Sequence, residues 1–369
     1  MAGGGLGKPI EPLESGQRGR NFRAFRPFRA LRTGLRVLRV SLRVEIGLLI
    51  AILAVATVLR LYHLGPLPPG LHYDEAANGI LAWEIARGEK FPLFIPSYTG
   101  KEVLFFYVAA AAMRLLGPTV FSLRLAAALI GLLTVGVTYL WVREMLPEES
   151  PRWTALLTAA LMATSFWHLV LSRYGFRAVS QPLLQGLTML FLWRALRRTI
   201  PPHPASPHRG EGIASHWALA GAFCGLTAYT YLAARAFPLV LGVFAVGALL
   251  AVRKASPRRR VFLGLALFVL VALVVVAPLG MYFLAHPDRF SVRVNQMSPF
   301  NPQVSGGDPW GTLLRAAKQG LGMFSGHGDA LWRFNYAARP VFDPLLAAFF
   351  YLGLLACLGR AVQSQDSLT

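Results

Sequence analysis

Val103-Leu-Phe-Phe-Tyr-Val-Ala-Ala-Ala-Ala-Met-Arg-Leu-Leu116 is apolar but stops after 14 residues at Gly117-Pro118. Whether it crosses a membrane decides the topology of everything after it. A spanning helix needs about 20 predominantly apolar residues. If this segment spanned, the arginine-bearing loops 194–209 and 253–260 would fall on the translocated face, against the positive-inside rule. Read as an interfacial helix, it leaves spans at about 44–61, 125–142, 153–171, 179–196, 217–232, 236–252, 261–284 and 341–358. The loops at 143–152, 194–216 and 253–260 are then cytoplasmic. The expected fold is an all-α polytopic membrane protein, with about eight transmembrane helices plus interfacial helices in the first extracytoplasmic loop.

Composition agrees with that class. The chain is 55% hydrophobic and only 15% charged, with a mean hydropathy of +0.49. Soluble domains carry about 25% charged residues. A net charge of +20 would suggest nucleic acid in a soluble protein. Here the basic residues sit in the N-terminal tail and in alternate loops, so no nucleic-acid partner is expected. Arg26, Arg29, Arg32, Arg36, Arg39 and Arg43 alternate with Phe25, Phe28, Leu31, Leu35, Leu38 and Leu42. That spacing predicts a basic amphipathic helix on anionic membrane lipids, and it keeps the N-terminus cytoplasmic. Cys224 and Cys357 both lie in apolar segments and give neither a disulfide framework nor metal-ligand spacing. No metal site is assigned, no cofactor is certain, and a divalent cation is left open.

The organisation expected is a cytoplasmic basic tail at 1–43, a transmembrane domain at 44–360 and a cytoplasmic tail at 361–369. Long extracytoplasmic loops fall at 63–124 and 285–340, and a short one at 172–178. Within the second long loop, 310–323 is patterned as an amphipathic helix. A chain that places its polar residues on one membrane face has its site there.

The first loop holds Pro66-Leu-Pro-Pro-Gly-Leu-His-Tyr-Asp-Glu-Ala-Ala-Asn78. Acidic residues number only 17 in 369, so the adjacent Asp74 and Glu75 are the first candidates for chemistry. Asp74 also suits the N-cap of a short helix at 76–87. A carboxylate at the membrane edge can take a proton from an acceptor hydroxyl or amine. Neighbours on a helix do not share a face, so one of the pair is expected to react, Asp74, and the other, Glu75, to support it.

Lys101 opens the short apolar segment, either snorkelling to headgroups or holding a lipid phosphate. Arg173 and Arg177 lie on the translocated side, where positive charge needs a reason. Guanidinium forks match phosphate oxygens. Arg235, between two later spans, invites the same reading. His63 and His72 read as headgroup or structural histidines. No P-loop, dinucleotide fingerprint, nucleophile elbow or zinc signature is present.

Four stretches carry a family resemblance: Leu71-His-Tyr-Asp-Glu-Ala76; Gly100-Lys-Glu-Val-Leu-Phe-Phe-Tyr107 with Leu116-Gly and Leu123-Arg-Leu125; Leu171-Ser-Arg-Tyr-Gly-Phe-Arg177; and Asn335-Tyr-Ala-Ala-Arg-Pro-Val-Phe-Asp-Pro344. In their order and spacing, over about 44–360, the chain resembles the GT-C class of membrane glycosyltransferases. Within it, the chain is similar to the bacterial family that includes protein O-mannosyltransferases and lipid A aminoarabinose transferases. The resemblance implies inverting transfer of a sugar from a polyprenyl-phosphate donor to a lipid, glycan or protein acceptor on the extracytoplasmic face of the cell membrane. It puts the catalytic acid on Asp74 and the phosphate-binding lysine on Lys101.

Two departures stand out. Many relatives carry a further Asp after the third span, where this chain reads Arg177-Ala-Val-Ser-Gln181. Relatives also continue for several more spans, so a truncated product, a fragment or a minimal version is expected. Two rival classes are a transporter or flippase for a lipid-linked substrate and a non-catalytic membrane scaffold. Ionisable residues at the bilayer midplane would favour the transporter, and the predicted spans are nearly free of them.

Overall fold

The computed structural model describes residues 42–98, 100–146, 152–200, 212–251, 255–331 and 334–366. The basic amphipathic helix expected in the tail lies almost wholly outside them. The first helix, α1 (Leu42–Leu61), runs without interruption through the first apolar stretch. Its Glu45 is buried and joins three helices at one end. It accepts from the Tyr139 hydroxyl at 2.6 Å, pairs with Arg152 and lies 3.5 Å from Arg143 Nε.

Beyond α1 come α2 (Tyr73–Ala86), a minimal antiparallel ribbon of β1 (Phe94–Ile95) and β2 (Lys101–Glu102), and α3 (Leu104–Leu116). Helix α2 begins three residues before the expected start. Its N-cap is His72, whose Nδ1 accepts from the Asp74 N–H. The capping role considered for Asp74 therefore belongs to His72, and Asp74 sits in the first turn, where its charge favours the helix dipole.

The short segment that opened the sequence reading is α3. It buries Phe105, Phe106, Ala109, Ala110 and Met113 on one stripe, packed with Ala82 of α2 and with Leu123 and Ala127 of α4 (Val120–Met145). Thr119 and Ser122 close a reciprocal cap at the start of α4.

The third expected span is broken. It forms α5 (Trp153–Thr164) and α6 (Phe166–Ser172), bent by 58° at Ser165. A 3-10 turn (Arg177–Val179) leads into α7 (Ser180–Thr199). Next are α8 (Ile213–Thr227), a 3-10 turn (Leu232–Ala236), α9 (Phe237–Ala251) and α10 (Ala255–Ala285). Three helices, α11 (Pro287–Met297), α12 (Pro302–Ser305) and α13 (Pro309–Gly322), fill the second long loop before α14 (Pro344–Asp366).

Each of the eight expected spans coincides with a helix or a bent pair. Four described helices meet the length and apolarity needed to cross a membrane, and the α5–α6 pair makes five. Helices α3, α8 and the apolar part of α14 are shorter. Helix α7 carries Gln181, Gln185, Arg194, Arg197 and Arg198, which dilute its apolar run.

Packing among the spans relies on small residues, because lipid tails leave little hydrophobic drive between helices. Gly221 and Gly225 of α8 face the backbone of α10. A Cβ on Gly225 would stand 2.8 Å from the Ala272 carbonyl oxygen, and one on Gly221 would run into that of Phe268. In return, the buried Trp217 indole lies over Gly264.

Candidate functional site

The stretch 64–78 is folded around one guanidinium. Arg124 is wholly buried in α4 and grips the Glu75 carboxylate twice, Nε to Oε1 and Nη2 to Oε2, both at 2.8 Å. Its Nη1 donates to the Gly65 and Pro68 carbonyls and its Nη2 to that of Gly70, each at 2.9 Å. Glu75 Oε1 also accepts from the Gly175 N–H at 3.0 Å. Glu75 is therefore a wholly buried carboxylate with both oxygens engaged. It fixes α2, α4 and the 173–176 turn relative to one another, and its side chain is not exposed to solvent.

Asp74, one residue earlier, faces the other way. Its side chain is about 32% exposed and lies 3.7 Å from His72 Nδ1. Of the two candidate carboxylates, this one can reach an incoming group.

Asn78 lies one turn after Asp74 and is fully buried. Its Oδ1 accepts from Lys101 Nζ at 2.7 Å and its Nδ2 donates to the Gly175 carbonyl at 2.8 Å. Lys101 is buried on β2, with its ammonium 5.2 Å from the centre of the Tyr98 ring. Burial, and then the like charges of Arg177 and Arg293, pull its pKa down to about 8, while the Asp74 carboxylate opposes the drop.

Arg177 donates Nε to Glu102 Oε2 at 3.1 Å, and both side chains are buried. Its guanidinium lies 5.1 Å from the centre of the Tyr231 ring. Arg235 donates to the Phe290 carbonyl at 3.0 Å and stacks 4.4 Å from that ring. Arg235 and Glu102 are the charged groups lining a cavity of about 620 Å³, whose other walls include Val276, Leu279, Phe283 and Leu284. One cation and one carboxylate thus line an otherwise apolar chamber walled largely by α10.

Arg173 does not belong to this group. Its guanidinium donates to the Leu59 and Tyr62 carbonyls at 2.7 Å and to that of Leu67 at 3.2 Å. It ties the end of α1 to the loop beyond and, with His72, lines a separate apolar cavity of about 900 Å³ beside Leu59, Leu169 and Val170. Burial, together with Arg124, depresses its pKa. The four-residue spacing of Arg173 and Arg177 does not bring them together, because α6 ends at Ser172 and the chain turns before Arg177.

Sequence reasoning missed Asn78, Glu102 and Arg293. Glu102 adjoins Lys101 in a chain poor in acids, and that was its available signal. Among the described residues no three His, Cys, Asp or Glu side chains cluster as a metal site requires. A further buried polar contact joins helices: Arg60, in the last turn of α1, stands 2.8 Å from His168 Nδ1 and donates to the Ala56 and Ala163 carbonyls.

No family model matches the chain, and no curated protein matches it in sequence. Several solved structures resemble it, two of them as follows. The archaeal oligosaccharyltransferase AglB from Archaeoglobus fulgidus, in complex with an inhibitory peptide and a dolichol-phosphate, aligns with a TM-score of 0.51 at 18% identity. That alignment covers 75% of this chain and 37% of AglB. The S. cerevisiae protein O-mannosyltransferase Pmt1-Pmt2 complex, bound to the sugar donor, aligns with a TM-score of 0.51 at 19% identity, covering 70% of this chain and 36% of its own. The chain spans little more than a third of the length of these proteins. The likeness is one of fold: this multi-pass membrane protein shares the helical architecture of the matched parts of these two proteins.

Proposed function

We propose that the chain is a glycosyltransferase that moves a sugar from a polyprenyl-phosphate donor to an acceptor hydroxyl or amine on the extracytoplasmic face. One observation carries the reading. Arg235 and Glu102 line an apolar chamber, Arg177 pairs with that same Glu102, and the adjacent Lys101 feels both Arg177 and the partly exposed Asp74 carboxylate. A lipid phosphate combines the two chemistries that such a site offers, an anionic head and a long apolar tail.

In the mechanism that follows, the polyprenyl chain occupies the cavity against α10. Lys101, Arg177 and Arg235 neutralise the phosphate as the bond from the anomeric carbon to the phosphate oxygen breaks. Asp74 takes the proton of the acceptor as its oxygen or nitrogen bonds to that carbon from the opposite side. One in-line displacement inverts the centre, and the products are the glycosylated acceptor and polyprenyl phosphate. Glu75 and Arg124 hold the base-bearing helix still. AglB holds a dolichol-phosphate and Pmt1-Pmt2 a sugar donor on the same fold, which supports this donor class. In this reading the N-terminus is cytoplasmic and the site lies on the outer face of the cell membrane.

Binding of a polyprenyl-phosphate sugar to the purified protein tests it. The wild type should bind and Lys101→Ala and Arg177→Ala should lose at least tenfold in affinity. Equal binding by all three removes the donor site from this place.

A further inference from the structure

We propose that Asn78 is the positioning residue that presents Lys101 to the donor phosphate and links it to the helix that carries Asp74. The inference rests on the donor reading above for the identity of the ligand, and on geometry for the rest.

Asn78 is fully buried on α2, four residues after Asp74, a separation that puts the two on one helix face. Its amide has a single consistent orientation. Lysine ammonium is donor-only, so Oδ1 must face Lys101 Nζ at 2.7 Å, and Nδ2 then donates to the Gly175 carbonyl at 2.8 Å. Gly175 in turn donates to Glu75. One side chain therefore joins three pieces that transfer needs in register: the helix of the base, the strand of the lysine and the turn that leads to Arg177.

The amide is also the right chemical choice. A carboxylate at 78 would pair with the ammonium and leave no net charge for an anion. An aliphatic side chain would leave a buried ammonium without an acceptor. A neutral acceptor holds Lys101 in place and spends none of its charge. Among the described residues Asn78 takes one of the three ammonium hydrogens, leaving two for a phosphate. The charged groups that Lys101 feels are Arg177, Asp74 and Arg293, and its neighbour Glu102 is engaged by Arg177.

The chain has five lysines, so NMR of protein labelled with 13C at lysine Cε follows Lys101 directly, with Lys101→Ala for assignment. The full chain is titrated in lipid nanodiscs as wild type, Asn78→Asp and Asn78→Ala, and each is tested for binding a short-chain polyprenyl phosphate at pH 7. The wild-type Lys101 should titrate near 8. Asn78→Asp should move the midpoint up by about one unit or more, and Asn78→Ala should move it down. Both should weaken phosphate binding by at least tenfold. A packing role alone would lower stability without moving the midpoint. An unmoved midpoint in folded Asn78→Asp, which keeps the side-chain shape, overturns the proposal even if Asn78→Ala does not fold. Failure of the wild type to bind phosphate, with midpoints that shift as expected, overturns the donor reading alone.

Discussion

Arg124 Nε and Nη2 each stand 2.8 Å from an oxygen of Glu75, and neither side chain is exposed to solvent. Breaking a buried pair by removing one partner leaves the other charge uncompensated, which costs roughly 3–5 kcal/mol. Glu75→Ala and Arg124→Ala should each lower stability by about that much, read as loss of monodisperse protein on heating. Asp74→Asn, at a partly exposed first-turn position, should stay within about 1 kcal/mol of wild type. The two adjacent carboxylates would thereby separate into a structural one and a reactive one.

Asp74→Asn should reduce sugar transfer by roughly 10²–10⁴-fold, the usual share of a general base, with donor binding retained. A transfer assay run beside the binding assay checks it. Undiminished turnover in that variant removes Asp74 as the base.

Lys101 is held down to about 8 by burial and then by Arg177. A phosphate binds the protonated ammonium. Affinity for a polyprenyl-phosphate donor should therefore be full below about 8 and fall as pH rises through and beyond that value. Lys101→Arg stays charged throughout that range and should flatten the profile between about pH 7 and 9. A wild-type profile already flat there would show that Lys101 does not carry the interaction.

Arg173 and Arg177 should respond differently to truncation. Arg177 sits with Glu102 beside Tyr231, whereas Arg173 is spent on three carbonyls at the end of α1. Arg177→Ala should weaken donor binding by at least tenfold. Arg173→Ala should leave affinity within about twofold and lower stability by roughly 1 kcal/mol, the net worth of ordinary hydrogen bonds whose acceptors can turn to water. Calorimetric titration paired with thermal unfolding separates the two effects.

Much of this was legible in local pattern. Apolar runs located the helices, and the scarcity of acids singled out Asp74 and Glu75. What stayed hidden depended on distance in the chain. The partner of Glu75 is 49 residues away, and nothing at position 75 announces it. The capping role went to His72 because its ring nitrogen reaches the Asp74 N–H, which side-chain type alone does not rank. Lys101, read as either a snorkelling or a phosphate-binding lysine, is buried against Asn78. The break at Ser165 is unmarked by Gly or Pro, so one expected span became two helices.

Gly221 and Gly225 were a further signal passed over, since glycines four apart in an apolar helix mark a close helix contact. Both face α10, and the atoms that an added Cβ would meet include the Phe268 and Ala272 carbonyl oxygens. Backbone cannot swing aside as a side chain can, so α8 and α10 must separate to admit a methyl group. Overpacking of this kind costs typically about 1–3 kcal/mol. Gly221→Ala should therefore destabilise the protein. It should also disturb donor binding, because α10 supplies Val276, Leu279, Phe283 and Leu284 to the proposed chamber. Gly247→Ala is the control: the space around that glycine is open, and alanine there should be neutral or up to about 1 kcal/mol stabilising through helix propensity. If Gly221→Ala matches Gly247→Ala in stability and in affinity, the α8–α10 contact does not shape the chamber.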